Sequence, residues 1–349
     1  DLSTSPPPSF VGHLVGISYN IGPSNHQLRI VTNHTFTETD IPNVIGIIPS
    51  QYYGTELDQP IILGNHRDAW VYGAADPNSG TAAMLEVAKG LGALSKTGWV
   101  PQRSIYFCSW SGEEYGLVGS TGWAELNAEL VNRAVAYLNV DTAVAGDELE
   151  VSASPVLATL FTDVMEALNT NAVLSKKGED MHTPFTLLDA NTNRAMFSKP
   201  QDIGTLGSGS DYTVFLDRFG VSSLDFAFRT SQGGYGVYHS IYDSYHWMEE
   251  YGGSMGVPGS AFEIMADAAK IWGVLALRLS ESEVLPLDHV AASKSVAGYI
   301  DQIKLSYKDA PLNLDTLVDA VGSYEKASLE FHNMLLNTEL SNGVQLHDL

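Results

Sequence analysis

The chain has 349 residues, of which 44% are apolar, so it can bury a large core, and we expect one large domain with appendages. It carries 18 basic and 41 acidic residues, a formal net charge of −23. The Lys and Arg residues form no cluster of the kind that binds nucleic acid, which excludes a nucleic-acid-binding protein. No run approaches the length of about 18 consecutive apolar residues that a membrane span needs, so we expect no span in this segment.

The first residues, DLSTSPPPSF, are typical of a linker and contain neither an initiator Met nor a signal-type apolar segment. We therefore expect a fragment of a longer protein, with a targeting signal or membrane anchor upstream. A glycosylation sequon at Asn33 favours the secretory pathway, which means a vacuolar, extracellular or type II membrane protein. The single cysteine, Cys108, lies in an apolar run and is expected to pack in a buried strand.

Residues 1–41 are polar and rich in Pro, and they are predicted to be the end of an upstream domain and a linker. From residue 42 the pattern changes to alternating strands and helices. The runs NVIGIIP and PIILGNH are continuously apolar and bounded by turn residues, as expected of central strands. The next segment, SGTAAMLEVAKGLGALSK, has the apolar spacing of a helix, with Ser79 as the predicted N-cap.

Three further runs, RSIYFCSW, AVAYLNVD and ELEVSAS, are predicted strands, and VSSLDFAF is a late strand. Helical spacing recurs in SPVLATLFTDVMEALN and DYTVFLDRFG. This alternation predicts an α/β fold in which a mixed β-sheet is sandwiched by helices over residues 42–281. Residues 282–349 show mostly helical periodicity and are predicted to form a C-terminal helical appendage that packs on the core or mediates dimerisation.

Five metal-type side chains are spread along this scaffold, most of them after or near predicted strands: His66, Asp76, Glu114, Asp141 and His239. In an α/β enzyme the loops at the carboxyl ends of the strands share one crevice, so we expect these side chains to meet there. Two His and three carboxylates, one of which can bridge, provide the donors for two nearby Zn²⁺ ions. The sequence therefore predicts a metallohydrolase.

Three other side chains are predicted to complete this centre. Glu113 precedes Glu114, and because adjacent residues point in different directions, one carboxylate can bind metal while the other acts as general base on the attacking water. The Asp68 carboxylate can accept the second imidazole N–H of His66. Tyr238 can donate its hydroxyl to a developing oxyanion.

Six segments, GNHRDAW, AADPNSG, SGEEYGLVGSTGWAE, LNVD, LGSGSDYTVF and YHSIYDSY, together resemble the di-zinc peptidases related to glutamate carboxypeptidase II and the transferrin receptor. The resemblance runs through nearly the whole chain. It implies a zinc exopeptidase-like fold and a homodimer. It also implies that residues 1–41 end an apical, protease-associated domain and that residues 282–349 belong to an incomplete dimerisation-type helical domain.

The resemblance divides the metal ligands between two zinc ions. It implies that Asp76 bridges the ions, that His66 and Asp141 hold one of them, and that Glu114 and His239 hold the other. The transferrin receptor branch has lost these ligands, whereas this chain keeps all five.

The resemblance also implies the catalytic and substrate-binding positions. Glu113 matches the proton-shuttling glutamate of the family, and Tyr238 matches the tyrosine that contacts the tetrahedral intermediate. Substrate-binding positions are implied at Leu117, Gly209 and Ser210.

This chain departs from glutamate carboxypeptidase II at several positions. Asp225 and Ala227 stand where that enzyme uses arginines to grip acidic side chains, and Ser210 replaces an asparagine. A calcium site of the family is reduced, since Gly122 replaces one acidic ligand while Glu125 remains. The loss of the arginines argues against acidic substrates.

The sequence therefore predicts a zinc-dependent exopeptidase acting on short peptides, with a carboxypeptidase favoured over an aminopeptidase. The apolar stretch from Leu224 to Phe228 predicts a preference for neutral or hydrophobic residues before the scissile bond. Two alternatives stay open. One is a catalytically inactive binding protein of the transferrin receptor type, and the other is a hydrolase of non-peptide amides on the same centre.

Overall fold

The computed structural model describes residues 4–8, 11, 15–23, 25, 27–175, 203–230, 235–308 and 310–342. The chain divides into two compact units, 1–40 and 41–349. In the first unit, Thr4 and Ile21 form an isolated antiparallel bridge. The named strands and helices lie in the second unit. The identities that the sequence assigns to the three segments of the chain stay predictions.

Six strands form one mixed sheet in the order β1-β3-β2-β4-β6-β5. The strands β2, β3, β4 and β6 are mutually parallel, and β1 and β5 are antiparallel at the two edges. The predicted α/β fold with a mixed sheet is thus confirmed, but the prediction of a central position for the first strand is wrong. Its residues are largely exposed because it has a neighbour on one side only. The strands are β1 Val44–Ile48, β2 Ile61–His66, β3 Ile105–Trp110, β4 Ala136–Asn139, β5 Glu148–Ala153 and β6 Ser222–Arg229.

Eight α-helices occur in the described part of the chain. They are α1 Asn78–Ser95, α2 Val118–Leu126, α3 Ala128–Val131, α4 Ala158–Ser175, α5 Tyr245–Tyr251, α6 Ser260–Glu281, α7 His289–Ser306 and α8 Asp315–Asn342. The predicted helix DYTVFLDRFG is reduced to a short helical segment ending in a π-helical turn, Val214–Arg218.

The helix α1 begins two residues earlier than its sequence predicts, with Pro77 in the N-cap position. Ser79 is therefore inside the helix and is not its cap. Its hydroxyl donates to the Ala75 carbonyl at 2.6 Å and accepts from the Ala143 N–H at 2.9 Å. Ser79 thus joins the start of α1 to the loop that follows β4.

Alternating strand residues build a separate hydrophobic core on each face of the sheet. Leu63 and Leu138 face α1, α4 and α6, and the buried Trp272 of α6 donates its indole N–H to the Leu138 carbonyl at 3.2 Å. Tyr137 points the other way and stacks on Phe215 with ring centroids 4.1 Å apart. This second core also contains Cys108, which is fully buried.

The C-terminal helices α7 and α8 pack on each other, and α7 is anchored to α4 through its N-cap residue. Asp288 accepts the Ala291 N–H at 2.8 Å as N-cap and the Thr159 hydroxyl of α4 at 2.8 Å. No helix in the described part of the chain is both long and apolar enough to cross a membrane.

Candidate metal centre

The carboxyl ends of two neighbouring parallel strands carry the first pair of ligand-type side chains. His66 is the last residue of β2, and Asp141 follows β4 by two residues. His66 Nε2 lies 2.9 Å from Asp141 Oδ1. Asn65, which precedes His66 in β2, holds Asp141, because its fully buried amide donates to the Asp141 carbonyl at 3.0 Å. Gly80 of α1 packs so closely that a Cβ there would collide with the Asp141 carbonyl oxygen.

Asp76 lies in the loop between β2 and α1 and is 6% exposed. Its Oδ1 is 3.2 Å from His66 Nε2, and its Oδ2 is 3.3 Å from His239 Nε2. His239 Nε2 is also 3.2 Å from Glu114 Oε2. The two oxygens of one carboxylate therefore face two different histidines, and Asp76 is shared between two groups of donors.

Each group could hold one metal ion. His66, Asp76 and Asp141 form the first group, and Asp76, Glu114 and His239 form the second, with ligand atoms within 4.8 Å of one another in each group. We call these the strand site and the loop site. In the strand site one residue ends a sheet strand and another follows the neighbouring strand, whereas the loop site is built wholly from connecting segments.

The Asp68 carboxylate does not accept from His66 as predicted. His66 Nδ1 lies 2.9 Å from the Asp68 backbone carbonyl and 3.8 Å from the carboxylate. The carboxylate instead accepts the backbone N–H of Glu113 at 3.1 Å and of Glu114 at 3.2 Å. A proton on Nδ1, donated to the carbonyl, leaves Nε2 with a lone pair for a metal ion.

The donor set fits a divalent cation. Asp76 Oδ1 and Glu114 Oε1 are buried and accept no hydrogen bond from any described residue. Buried carboxylates without donors are destabilising unless a positive charge balances them. Burial by itself would lower the pKa of His66, but the carboxylates of Asp141 and Asp76 raise it to about 12. The same negative field favours a metal ion on that nitrogen, and two His with three carboxylates suit Zn²⁺.

Glu113 lies beside the two donor groups without belonging to either. Gly112, at φ 74°, makes the turn after β3 that places Glu113 and Glu114 at the site. Burial raises the pKa of Glu113 to about 8, and the charge of Asp141 adds to this effect while that of His66 opposes it. A bound cation lowers the pKa of a carboxyl group near it, so Glu113 can exchange a proton near neutral pH.

Tyr238 precedes His239 and stacks on it, with ring centroids 3.6 Å apart. Its side chain is 56% exposed. Partial burial and the charge of Asp76 raise the pKa of Tyr238 to about 12, so the hydroxyl keeps its proton and can act as a donor.

Two of the implied substrate-binding positions, Gly209 and Ser210, adjoin the strand site. The Ser210 hydroxyl donates to Asp141 Oδ2 at 2.7 Å and accepts from the Asn139 amide at 3.0 Å. The same amide donates to Asp225 Oδ1 at 2.8 Å. Ser210 is 5% exposed, so its hydroxyl is committed to this network. Leu117 is the N-cap residue of α2, at φ 60°, and its N–H donates to the Glu113 carbonyl at 2.8 Å.

The stretch from Leu224 to Phe228 does not form the predicted apolar wall. Leu224, Phe226 and Phe228 are buried in the core that faces α6. Because side chains alternate along a strand, Asp225 points to the opposite face, where it meets Asn139. The apolar residues of β6 therefore cannot line a substrate pocket.

Glu125, the residue that remains of the calcium site implied by the resemblance, pairs with Arg218 at 3.2 Å. Gly122 lies in the same helix, α2. The calcium ion stays a prediction.

Two exposed aromatic side chains that the sequence did not single out lie at the rim of the loop site. Trp70 is 47% exposed and has its ring centroid 6.1 Å from that of His239. Tyr115 is 74% exposed and lies 5.3 Å from Trp70. Exposed aromatic residues beside predicted metal ligands are the signal that could have identified this rim.

The chain was compared with known proteins. Residues 43–251 match the model of Peptidase family M28. A probable glutamate carboxypeptidase of Arabidopsis thaliana is 36% identical over 317 residues, covering 90% of this chain and 43% of that protein. Aminopeptidase NAALADL1 of Mus musculus is 31% identical over 366 residues, covering 98% of this chain and 47% of that protein. The structure of BSAP, a zinc aminopeptidase from Bacillus subtilis, aligns with a TM-score of 0.47 at 20% identity over 69% of this chain and 50% of that chain.

The chain spans less than half the length of these two curated relatives. The family model itself matches more than half of this chain, and its limits enclose the strand site and the loop site. The chain therefore belongs to peptidase family M28.

Proposed function

We propose that this chain carries the catalytic centre of a di-zinc exopeptidase that hydrolyses short peptides. One observation carries the proposal: Asp76 is shared between two groups of three metal-type donors. Glu113 lies beside these groups without joining them, so a general base is available in addition to the ligands.

The residues that would hold zinc are His66 and Asp141 for one ion, Glu114 and His239 for the other, and Asp76 for both. Two bound zinc ions would supply Lewis acidity toward the scissile carbonyl and would lower the pKa of the attacking water.

Glu113 takes the proton from the attacking water and passes it to the leaving amine. The Tyr238 hydroxyl donates to the oxyanion that develops on the former carbonyl oxygen. Trp70 and Tyr115 offer apolar surface at the entrance of the site. The groups proposed for these steps follow or precede strands and helices near the carboxyl ends of β2, β3 and β4.

We favour a carboxypeptidase over an aminopeptidase, since the probable glutamate carboxypeptidase of Arabidopsis thaliana is 36% identical to this chain, against 31% for aminopeptidase NAALADL1 of Mus musculus. The similar protein from Mus musculus is named an aminopeptidase, so the aminopeptidase stays the second candidate. An inactive receptor is disfavoured because the five ligands and Glu113 are all present.

Metal analysis combined with a panel of blocked and free dipeptides tests the proposal. We expect two zinc ions per chain and hydrolysis that a chelator abolishes. Cleavage of N-blocked dipeptides would identify a carboxypeptidase, and cleavage of C-blocked dipeptides an aminopeptidase. A protein that binds zinc but cleaves neither set would contradict the exopeptidase proposal.

Homodimerisation and location in the secretory pathway are proposals too. In α8, Leu317, Phe331 and Met334 are 43%, 44% and 55% exposed, which supports an apolar contact with another helix. The sequon at Asn33 supports the secretory pathway.

A further inference from the structure

Asp243 is a buried carboxylate that none of the steps above uses. It is 2% exposed and lies four residues after His239. Its Oδ1 accepts the Ala75 N–H at 2.8 Å, and its Oδ2 accepts the Asp76 N–H at 3.2 Å. The Tyr235 hydroxyl donates to Oδ2 at 3.2 Å. One side chain thus binds the loop of Asp76 to the loop of His239.

The same arrangement occurs on the other side of the loop site. The two oxygens of Asp68 accept the N–H groups of Glu113 and Glu114. In both cases a carboxylate binds two consecutive backbone amides, and the second amide belongs to a ligand of the loop site. We call such a group a carboxylate clamp. The loop site needs these clamps because its ligands come from connecting segments, which lack the hydrogen bonds of a sheet.

From this arrangement we propose that Asp243 is a positioning residue which builds the loop site by fixing Asp76 relative to His239. The inference rests on the proposed two-zinc function. The strand site depends on Asp243 much less, because His66 ends β2, Asp141 follows the adjacent strand β4, and Asn65 of β2 donates to the Asp141 carbonyl. Loss of the clamp should therefore affect the loop site more than the strand site, although the two sites share Asp76.

The clamp requires a carboxylate and not merely a polar side chain. An asparagine offers one acceptor oxygen, so its NH₂ group would face the N–H of Ala75 or of Asp76, donor against donor. Asp243→Asn is therefore expected to disrupt the clamp although it preserves the shape of the side chain. Tyr235→Phe removes only one of three donors and should give a smaller change in the same direction.

The test is a zinc titration of the intact protein against a fluorescent chelator. His66→Ala and His239→Ala identify which binding step belongs to which site. We expect Asp243→Asn to weaken the step of the loop site by about 10- to 100-fold, the usual range for a residue that supports a metal ligand, and the step of the strand site by less than about threefold. Leu275→Ala, which truncates a fully buried side chain of α6, is the control for general loss of stability.

The proposal would be overturned if Asp243→Asn weakened both zinc-binding steps equally and by as much as Leu275→Ala does. It would also be overturned if Asp243→Asn left both steps unchanged. Hydrogen exchange of the Ala75 and Asp76 amides in the metal-free protein gives an independent readout. These amides should be protected in the wild type and in Leu275→Ala and should exchange faster in Asp243→Asn. If the wild type takes up fewer than two zinc ions, the proposed function fails, and the exchange measurement still decides whether the clamp exists.

Discussion

Ser210 donates its only hydroxyl proton to Asp141, over 2.7 Å. The amide of Asn139 must then donate both of its protons, one to Ser210 and one to Asp225. The hydrogen bonds therefore run outward from Asn139. On one side they reach Asp141 through Ser210, and on the other they reach Asp225 directly.

Removing this donor tests its importance for the strand site. Ser210→Ala leaves Asp141 Oδ2 without its hydrogen bond, and we expect the strand site to bind zinc about 10-fold more weakly. The measurement is the same two-step zinc titration. Ser210→Thr keeps the hydroxyl and should restore most of the affinity, and Ser208→Ala is an exposed control. Equal affinities in Ser210→Ala and the wild type would show that the hydrogen bond does not support the ligand.

Glu113→Gln tests the general base. The substitution keeps the size of the side chain but removes its ability to accept a proton, so kcat should fall by on the order of 10² or more while the zinc content stays at the wild-type level. Steady-state kinetics and metal analysis of the purified variant measure both quantities. Glu86→Gln, at a side chain that is 63% exposed on α1, is the control. Wild-type turnover in Glu113→Gln would place the base elsewhere.

The raised pKa of the Asp225 carboxyl group should make the stability of the fold depend on pH. Burial raises its pKa to about 6 from the ordinary value of 3.8, against the opposing hydrogen bond from Asn139. The folded protein therefore holds a proton on Asp225 that the unfolded chain releases, and stability is lost as the pH rises from about 4 to about 6.

Asp225→Asn should consequently raise the free energy of unfolding at pH 7, by up to about 3 kcal/mol at roughly 1.4 kcal/mol per pKa unit. The difference from the wild type should disappear below about pH 4. Denaturant unfolding in the presence of a chelator, repeated between pH 4 and pH 7, measures it. A variant that is equally destabilised at both ends of this range would contradict the pKa assignment.

Substrate preference is the fourth prediction. Asp225 is joined to the ligand Asp141 through Asn139 and Ser210, so an acidic substrate side chain near this face meets like charge. We expect kcat/KM to be higher for a dipeptide with Leu before the scissile bond than for one with Glu. Asp225→Asn should reduce the difference in kcat/KM between the Leu and Glu dipeptides. A dipeptide with Gln at the same position is the neutral polar comparison. A preference for Glu in the wild type would show that other parts of the protein supply a positive charge.

The sequence predicts the mixed sheet well because buried strands such as β2 and β3 are continuous apolar runs between turn residues. The edge position of β1 was not predictable in this way, since its sequence is equally apolar and only its neighbours make it exposed. Burial of Leu224, Phe226 and Phe228 in one core depends likewise on which face of β6 meets α6.

The residues that support the centre were harder to predict than its candidate ligands. His and carboxylate residues after strands carry a recognisable chemical signal, but Asp243 acts on backbone amides 168 and 167 positions away. Asn65 likewise acts on the Asp141 carbonyl, 76 positions away. Contacts to backbone groups leave no pattern of side-chain types in the partner segment, so only the folded chain shows them.

The close approach of Gly80 to the Asp141 carbonyl has a consequence for engineering the protein. The helix α1 contains three glycines, and at Gly90 and Gly92 a Cβ would meet nothing within 4 Å. Alanine at these two positions should stabilise the helix by roughly 0.5–1 kcal/mol each. At position 80 the same change would push the start of the helix away from the segment after β4 and would move Asp141, a proposed metal ligand. In a set of glycine-to-alanine variants of α1, substitutions near the end of the helix should thus change thermostability, and the substitution at its start should change metal affinity.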